Sequence, residues 1–163
     1  MKRLRYLLYF ILFLLTILVL KSFVTNSIDW EISDKEISEF ISEHNIPNAS
    51  IKKVHSNMYY IFGDDVIYVF KGKGDFKETK NIRKDDIVFG GLQRGSIGLN
   101  INNQDVLLNS KLYSVTINNE TRNYEYRGEK YIVITDDRIW NPDPQMTISF
   151  YDSSGKSIYE EVL

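Results

Sequence analysis

The sequence predicts an α+β fold that is mainly β: an N-terminal membrane-anchor helix, one short amphipathic helix, then an antiparallel β-sandwich or barrel. Three observations carry that reading. Residues 6–20 are an unbroken, almost wholly apolar run. A capping-box pattern opens a one-sided helical segment at Ser33. From Ala49 onward, short β-branched and aromatic runs alternate with turn residues.

A length of 163 residues leaves room for one domain and an appendage, which excludes a large multidomain enzyme. With 13% aromatic residues and only 3 prolines, the composition is that of a globular chain rather than a disordered one. A single alanine against 20 isoleucines and 13 asparagines is the bias of an AT-rich coding sequence, and points to a bacterial protein with a single-membrane envelope.

The first element is the apolar run. A helix over residues 6–24 rises about 28 Å at 1.5 Å per residue, close to a hydrocarbon core of roughly 30 Å. Arg5 and Lys21 reach the headgroups along their aliphatic stems. The alternative, secretion after signal cleavage, needs small residues behind the run; Lys21-Ser-Phe-Val-Thr-Asn-Ser27 offers only Thr25 and Ser27. Lipoprotein processing is excluded by the absence of cysteine. Lys2, Arg3 and Arg5 precede the run and only Lys21 follows closely, so residues 1–5 are expected in the cytoplasm and the remainder outside. Residues 22–163 then carry 16 basic against 22 acidic side chains, a net charge of −6 that argues against a nucleic-acid partner. An exported part of this size buries enough surface to fold without disulfides.

Residues 25–47 read as a linker followed by the amphipathic helix. Ser33 is the N-cap, Glu36 the reciprocal capping residue, and Ile32 and Ile37 form a hydrophobic staple. Ile37, Phe40, Ile41 and, in part, His44 share one face, opposite Lys35, Glu39, Ser42 and Glu43. Pro47 ends the segment.

Residues 48–163 form the β domain. Strands are predicted at 51–55, 58–62 and 66–71, then at 86–90, 96–101, 105–108 and 111–117, and finally at 121–127, 130–135, 145–151 and 156–162. Val66-Ile-Tyr-Val-Phe70 has no polar residue on either face and is expected to be a central strand covered on both sides. Turns fall at Gly63-Asp-Asp65, Asn118-Asn-Glu120, Gly128-Glu129, Pro142-Asp-Pro144 and Ser153-Ser-Gly155.

Near the C-terminus, Gln145-Met-Thr-Ile-Ser-Phe-Tyr-Asp-Ser-Ser-Gly-Lys-Ser-Ile-Tyr-Glu160 runs an alternating strand into an Asp-x-x-Gly-Lys turn and a closing strand. This stretch resembles the small immunoglobulin-like modules that end many exported bacterial proteins. The chain as a whole resembles the small single-anchor extracytoplasmic proteins of Gram-positive bacteria. The resemblance implies an Ig-like C-terminal part and brings no catalytic residues with it.

Reactive groups are scarce. Two separated histidines, His44 and His55, do not make a zinc site, and no cofactor is implied. Asp64-Asp65, Asp85-Asp86 and Asp136-Asp137 are read as turn-forming acids; a calcium site at Asp136, Asp137 and Asp143 lacks EF-hand spacing. Phe89-Gly-Gly-Leu-Gln-Arg-Gly-Ser-Ile-Gly98 is followed by a strand pattern rather than a helix, so its glycines indicate bulges or a tight turn, not a phosphate loop. The most uneven charge is the segment 71–84, whose Lys71, Lys73, Lys77, Lys80, Arg83 and Lys84 against Asp75 and Glu78 give +4 and leave −10 on the rest of the exported part. A solvated hairpin explains it, and contact with anionic lipid headgroups or wall polymers is the functional alternative. Trp30 and Trp140 are candidates for a membrane-interface residue and a lid on the sandwich.

The expected function is a non-catalytic accessory or binding domain on the outer face of a bacterial membrane, with a protein or an anionic envelope polymer as partner. An exported hydrolase pairing Asp85 or Asp86 with Asp136 or Asp137, and a membrane-associated immunity protein, are the alternatives.

Overall fold

The computed structural model describes residues 13, 15, 16, 31–80, 86–93, 95–139 and 145–163. The chain divides into two compact units, Met1–Glu31 and Ile32–Leu163. In the first, Phe13, Leu15 and Thr16 are helical, and the side chains of Phe13 and Leu15 are exposed. Apart from these three residues, the predicted span 6–24 lies outside the described residues. Among the described residues no helix is long and apolar enough to cross a membrane.

The second unit opens with helix α1, Asp34–Glu43. Its N-terminus is the predicted capping box: the Glu36 amide donates to Ser33 Oγ at 3.3 Å and the Ser33 amide to Glu36 Oε2 at 3.0 Å. Both staple residues, Ile32 and Ile37, are buried. The second compact unit takes in α1 together with the strands.

Four strands follow as a meander, β1 (Ser50–His55), β2 (Met58–Phe62), β3 (Val66–Phe70) and β4 (Phe76–Lys80), paired antiparallel in that order. Strand β4 was not foreseen, because its Lys77-Glu-Thr-Lys80 sequence reads as solvated loop. Five backbone pairs with β3, from Val66 opposite Lys80 to Phe70 opposite Phe76, hold it as an edge strand, where charged side chains are tolerated. The basic segment is thus the β3–β4 hairpin, as far as Lys80.

The remaining strands are β5 (Ile87–Gln93), β6 (Ser96–Ile101), β7 (Leu112–Ile117), β8 (Glu120–Glu125), β9 (Tyr131–Thr135), β10 (Met146–Tyr151) and β11 (Ser157–Val162). They form two more antiparallel sheets, of order β5-β6-β9 and β11-β10-β7-β8. The strand predicted at 105–108 is instead helix α2, Gln104–Asn109. Asn103 caps it by accepting from the Val106 amide at 3.1 Å, and only Val106 of its apolar residues is buried; Leu108 faces solvent. An Asn cap and an acid in the first turn outweighed a run too short to show a period.

Residue alternation along the strands stacks these pieces in layers. On β2, Tyr59 and Ile61 join Phe40 and Ile37 of α1, whereas Met58, Tyr60 and Phe62 face Val88, Tyr131 and Val133 of the β5-β6-β9 sheet. That sheet turns its other face, including Ile87, Leu99, Ile101 and Ile134, onto Val115, Ile148 and Phe150 of the fourth layer. The order is α1, the β1–β4 sheet, the three-stranded sheet, then the β7-containing sheet. Strand β3 has neighbours on both edges and core on both faces, as its all-apolar sequence predicts.

The glycine-rich segment shapes the second interface. A Cβ on Gly98 would lie 2.7 Å from Tyr60 Cδ1, and one on Gly91, at φ +65°, would collide with Val69 Cγ2. The register shifts between Gly90 and Gln93, a β-bulge. Bare backbone here admits the Tyr60 ring, whose hydroxyl donates to the Gly91 carbonyl and lies 3.0 Å from Ser96 Oγ. Burial pushes that phenol up to about 12. The predicted bulge is present, serving sheet packing.

Candidate functional site

Where α1 meets the β3–β4 hairpin, a cleft of about 280 Å³ is lined by Phe40, His44, Phe70 and Phe76. Its position follows from helical spacing. Glu36, Glu39, Phe40, Glu43 and His44 fall on one side of α1, three and four residues apart. Phe70 and Phe76 are cross-strand partners and so stand side by side on the helix-facing side of the sheet. Phe40 is the central ring, 4.5 Å from Phe70, 5.1 Å from Phe76 and 4.1 Å from His44 between ring centres. His44 is the C-cap, with Nδ1 3.0 Å from the Phe40 carbonyl oxygen and its ring 4.9 Å from Phe76. Phe76 is 39% exposed, whereas Phe70 is almost fully buried, so one aromatic wall of the cleft stands in solvent.

The rim is acidic: Glu36, Glu39 and Glu43 against Lys73. Glu36 is held below its ordinary value, first by the backbone and side-chain hydrogen bonds from Ser33, with a smaller contribution from Lys73. Glu39 meets Lys35 at 3.7 Å, both well exposed, a pairing worth little in water. Two of the acids were placed by the sequence pattern on the outward face of α1. Their grouping with Phe76 was missed because Phe76 sits on the unforeseen strand; no periodic signal marks a five-residue edge strand of mixed charge.

The candidate basic residues do not share one face. Lys71, Lys73, Lys77 and Lys80 are all exposed. Register sets Lys80 on the α1 side, 3.6 Å from Glu78, while Lys77 stands beside Val69 on the opposite side. Lys71 Nζ donates to Gln93 Oε1 at 3.0 Å, and Lys73 borders the cleft. Arg83 and Lys84 lie outside the described residues, as do Trp30, Trp140, Asp85 and Asp143. His55 is exposed at the end of β1, far in sequence and strand order from the cleft.

Asp86 and Asp136 are separated by β6. The Asp86 carbonyl accepts from the Asn102 amide at one end of that strand, and the Asp136 amide donates to the Gly95 carbonyl at the other. The six residues of β6 intervene, seven steps of about 3.3 Å or about 23 Å, so Asp86 and Asp136 cannot act on one substrate bond. Asp136 has another task. Its carboxylate is fully buried and takes Arg138 Nε at 2.9 Å, Arg138 Nη2 at 2.6 Å, Arg122 Nη1 at 3.2 Å and the Tyr124 hydroxyl at 3.2 Å. These bonds, Arg138's foremost, hold Asp136 far below the ordinary carboxylate range. Arg138 Nη1 and Nη2 also donate to the carbonyls of Glu120 and Val115, at 2.6 and 3.2 Å, tying the end of β9 to the β7–β8 hairpin. Among the described residues no group of three or more Asp, Glu or His side chains is arranged to hold a metal ion.

No family model matches the chain, and no curated protein or solved structure matches it either.

Proposed function

We propose that the chain is a non-catalytic binding or accessory domain of a bacterial envelope, held on the outer face of the membrane by residues 6–24, and that its principal contact site is the α1–hairpin cleft. The observation that carries the binding reading is the solvent-exposed aromatic wall at Phe76, backed by buried Phe40 and Phe70. A ring in that position gains packing only when something covers it. The basic residues before the apolar run support the placement outside.

The order β5-β6-β9 against β11-β10-β7-β8 supports the immunoglobulin-like reading and extends it to residues 87–162. With strands β5 to β11 lettered A, B, C, C′, E, F and G, the sheets are ABE and GFCC′, the Greek-key sandwich with its fourth strand paired to C. Exposed hairpin lysines support a secondary contact with anionic polymer or lipid headgroups.

The test uses cells with a permeabilised wall. External protease should digest the β domain while cytoplasmic markers survive; a protected domain overturns the placement. Partners cross-linked to the native protein should be lost in Phe76→Ala at unchanged thermal stability, and an unchanged partner set overturns the assignment of the cleft.

A further inference from the structure

We infer that the α1–hairpin cleft takes an organic cation of side-chain size, an ammonium or guanidinium group carried on an apolar stem. The inference rests on the binding reading above and names the chemistry of its ligand. Three features of the site converge on a cation.

The first is the lining. Phe40, Phe70, Phe76 and His44 offer ring faces and edges around a volume of about 280 Å³, just below the range that accommodates drug-sized ligands. Ring faces attract cations and accept an aliphatic stem equally well. The second is the charge at the mouth. Helix α1 has four carboxylates and one lysine, and three of those carboxylates border the cleft against one lysine of the hairpin, Lys73, so the mouth is net negative. An anion would be repelled, and a neutral apolar ligand would dehydrate those carboxylates without compensation. The third is Glu43. It occupies the last turn of α1, where the helix dipole disfavours a negative charge and where no basic residue stands. It has no hydrogen-bond or ion-pair partner among the described residues. A carboxylate kept at that position, beside an aromatic cleft, is complementary to an incoming cation and to nothing in the helix itself.

Calorimetric and saturation-transfer titrations of the full chain in a non-ionic detergent test the inference. The probes are n-butylammonium and a blocked lysine, N-acetyl-lysine methylamide, each with its neutral counterpart, n-butanol and N-acetyl-norleucine methylamide. Both ammonium probes should bind about tenfold or more tightly than their counterparts, a difference of about 1.4 kcal/mol or more, because only the charged probes are attracted by the carboxylates at the mouth. Glu39→Gln combined with Glu43→Gln should remove that difference, with helix content unchanged by circular dichroism. Tighter binding of blocked lysine than of butylammonium identifies a protein as the source of the cation; the reverse order identifies a free amine. Equal binding of charged and neutral probes, or an affinity for ammonium unaltered in the double variant, overturns the inference. Binding of neutral probes that disappears in Phe76→Ala would overturn the cation alone and leave the cleft as a binding site. Absence of any Phe76-dependent binding, together with an unchanged cross-linked partner set, would end both.

Discussion

Replacing Arg138 by methionine keeps the aliphatic stem and deletes the guanidinium, leaving the fully buried Asp136 carboxylate without its two guanidinium bonds at 2.6 and 2.9 Å. Removing one partner of a buried pair typically costs 3–5 kcal/mol, because the remaining charge stays desolvated. Arg122 still lies 3.2 Å away, which places the expected loss near the lower end, about 3 kcal/mol. The carbonyls of Glu120 and Val115 lose donors as well. Against a typical domain stability of 5–15 kcal/mol this is a large fraction. With a urea slope of about 1.5 kcal/mol/M the midpoint should fall by about 2 M. Equilibrium urea unfolding followed by far-ultraviolet circular dichroism reads the shift. The control is Arg122→Met. Arg122 is 47% exposed and its other partner, Asp137, 79%, so its loss should move the midpoint much less than the loss of Arg138.

The pH dependence has a definite sign. Asp136 is depressed in the folded state, so its contribution is complete above the unfolded carboxyl value of about 3.9 and disappears as pH falls through the folded one. In Arg138→Met the carboxyl is held down less, since its foremost donor is gone, and protonation relieves the variant at a higher pH than it affects the wild type. The gap between variant and wild type should therefore be widest near neutrality and narrow on acidification. Equal costs for the two arginine variants, or a gap that widens with acid, would refute the assignment of Arg138 and Asp136 as the pair that locks this corner.

Four further outcomes follow from the packing. Gly98→Ala puts a methyl 2.7 Å from a Tyr60 ring that its hydroxyl bonds hold in place, and should cost about 1–3 kcal/mol in the same assay. Tyr60→Phe leaves the Gly91 carbonyl and Ser96 hydroxyl short of a partner in the core, with a loss of about 1–3 kcal/mol. Tyr60, Tyr113 and Tyr126 are all pushed up to about 12, so wild-type stability should hold below the unfolded tyrosine value of about 10 and decline as pH rises towards 12. Absorbance of tyrosinate should rise together with unfolding there, and independent titration at pH 10 would contradict it. Ser33→Ala removes the α1 cap and should cost about 1 kcal/mol, measured as a fall in midpoint; no change would mean that the helix is held by Ile32, Ile37 and Phe40 alone.

Much of this fold was legible in local chemistry. Ser33 and Glu36 mark the start of α1; Asn118-Asn119, both at positive φ, close the β7–β8 hairpin; and Asp152 accepts the Ser154 and Lys156 amides in the Asp-x-x-Gly-Lys turn. Such signals depend on atoms a few residues apart. The two local misreadings, α2 and β4, are elements of five or six residues, too short for a hydrophobic period to declare itself.

Layering was not legible. Nothing in the sequence of β2 says that Tyr59 and Ile61 lie under a helix while Tyr60 lies against the glycines of another sheet. Alternation predicts two faces but not their partners, because pairing between distant strands is decided by which surfaces fit. The cleft has the same origin: helical spacing gathers Glu36, Glu39, Phe40 and Glu43, but Phe70 and Phe76 come from a hairpin some thirty residues away and arrive only by packing. The sequence by itself determined most of the elements, α2 and β4 excepted, the charge of α1 and the apolar run at residues 6–20. Tertiary structure alone decided that the acids of α1 border an aromatic cleft and that Asp136 is locked by arginines rather than placed near Asp86, because long-range contacts obey shape and burial rather than spacing.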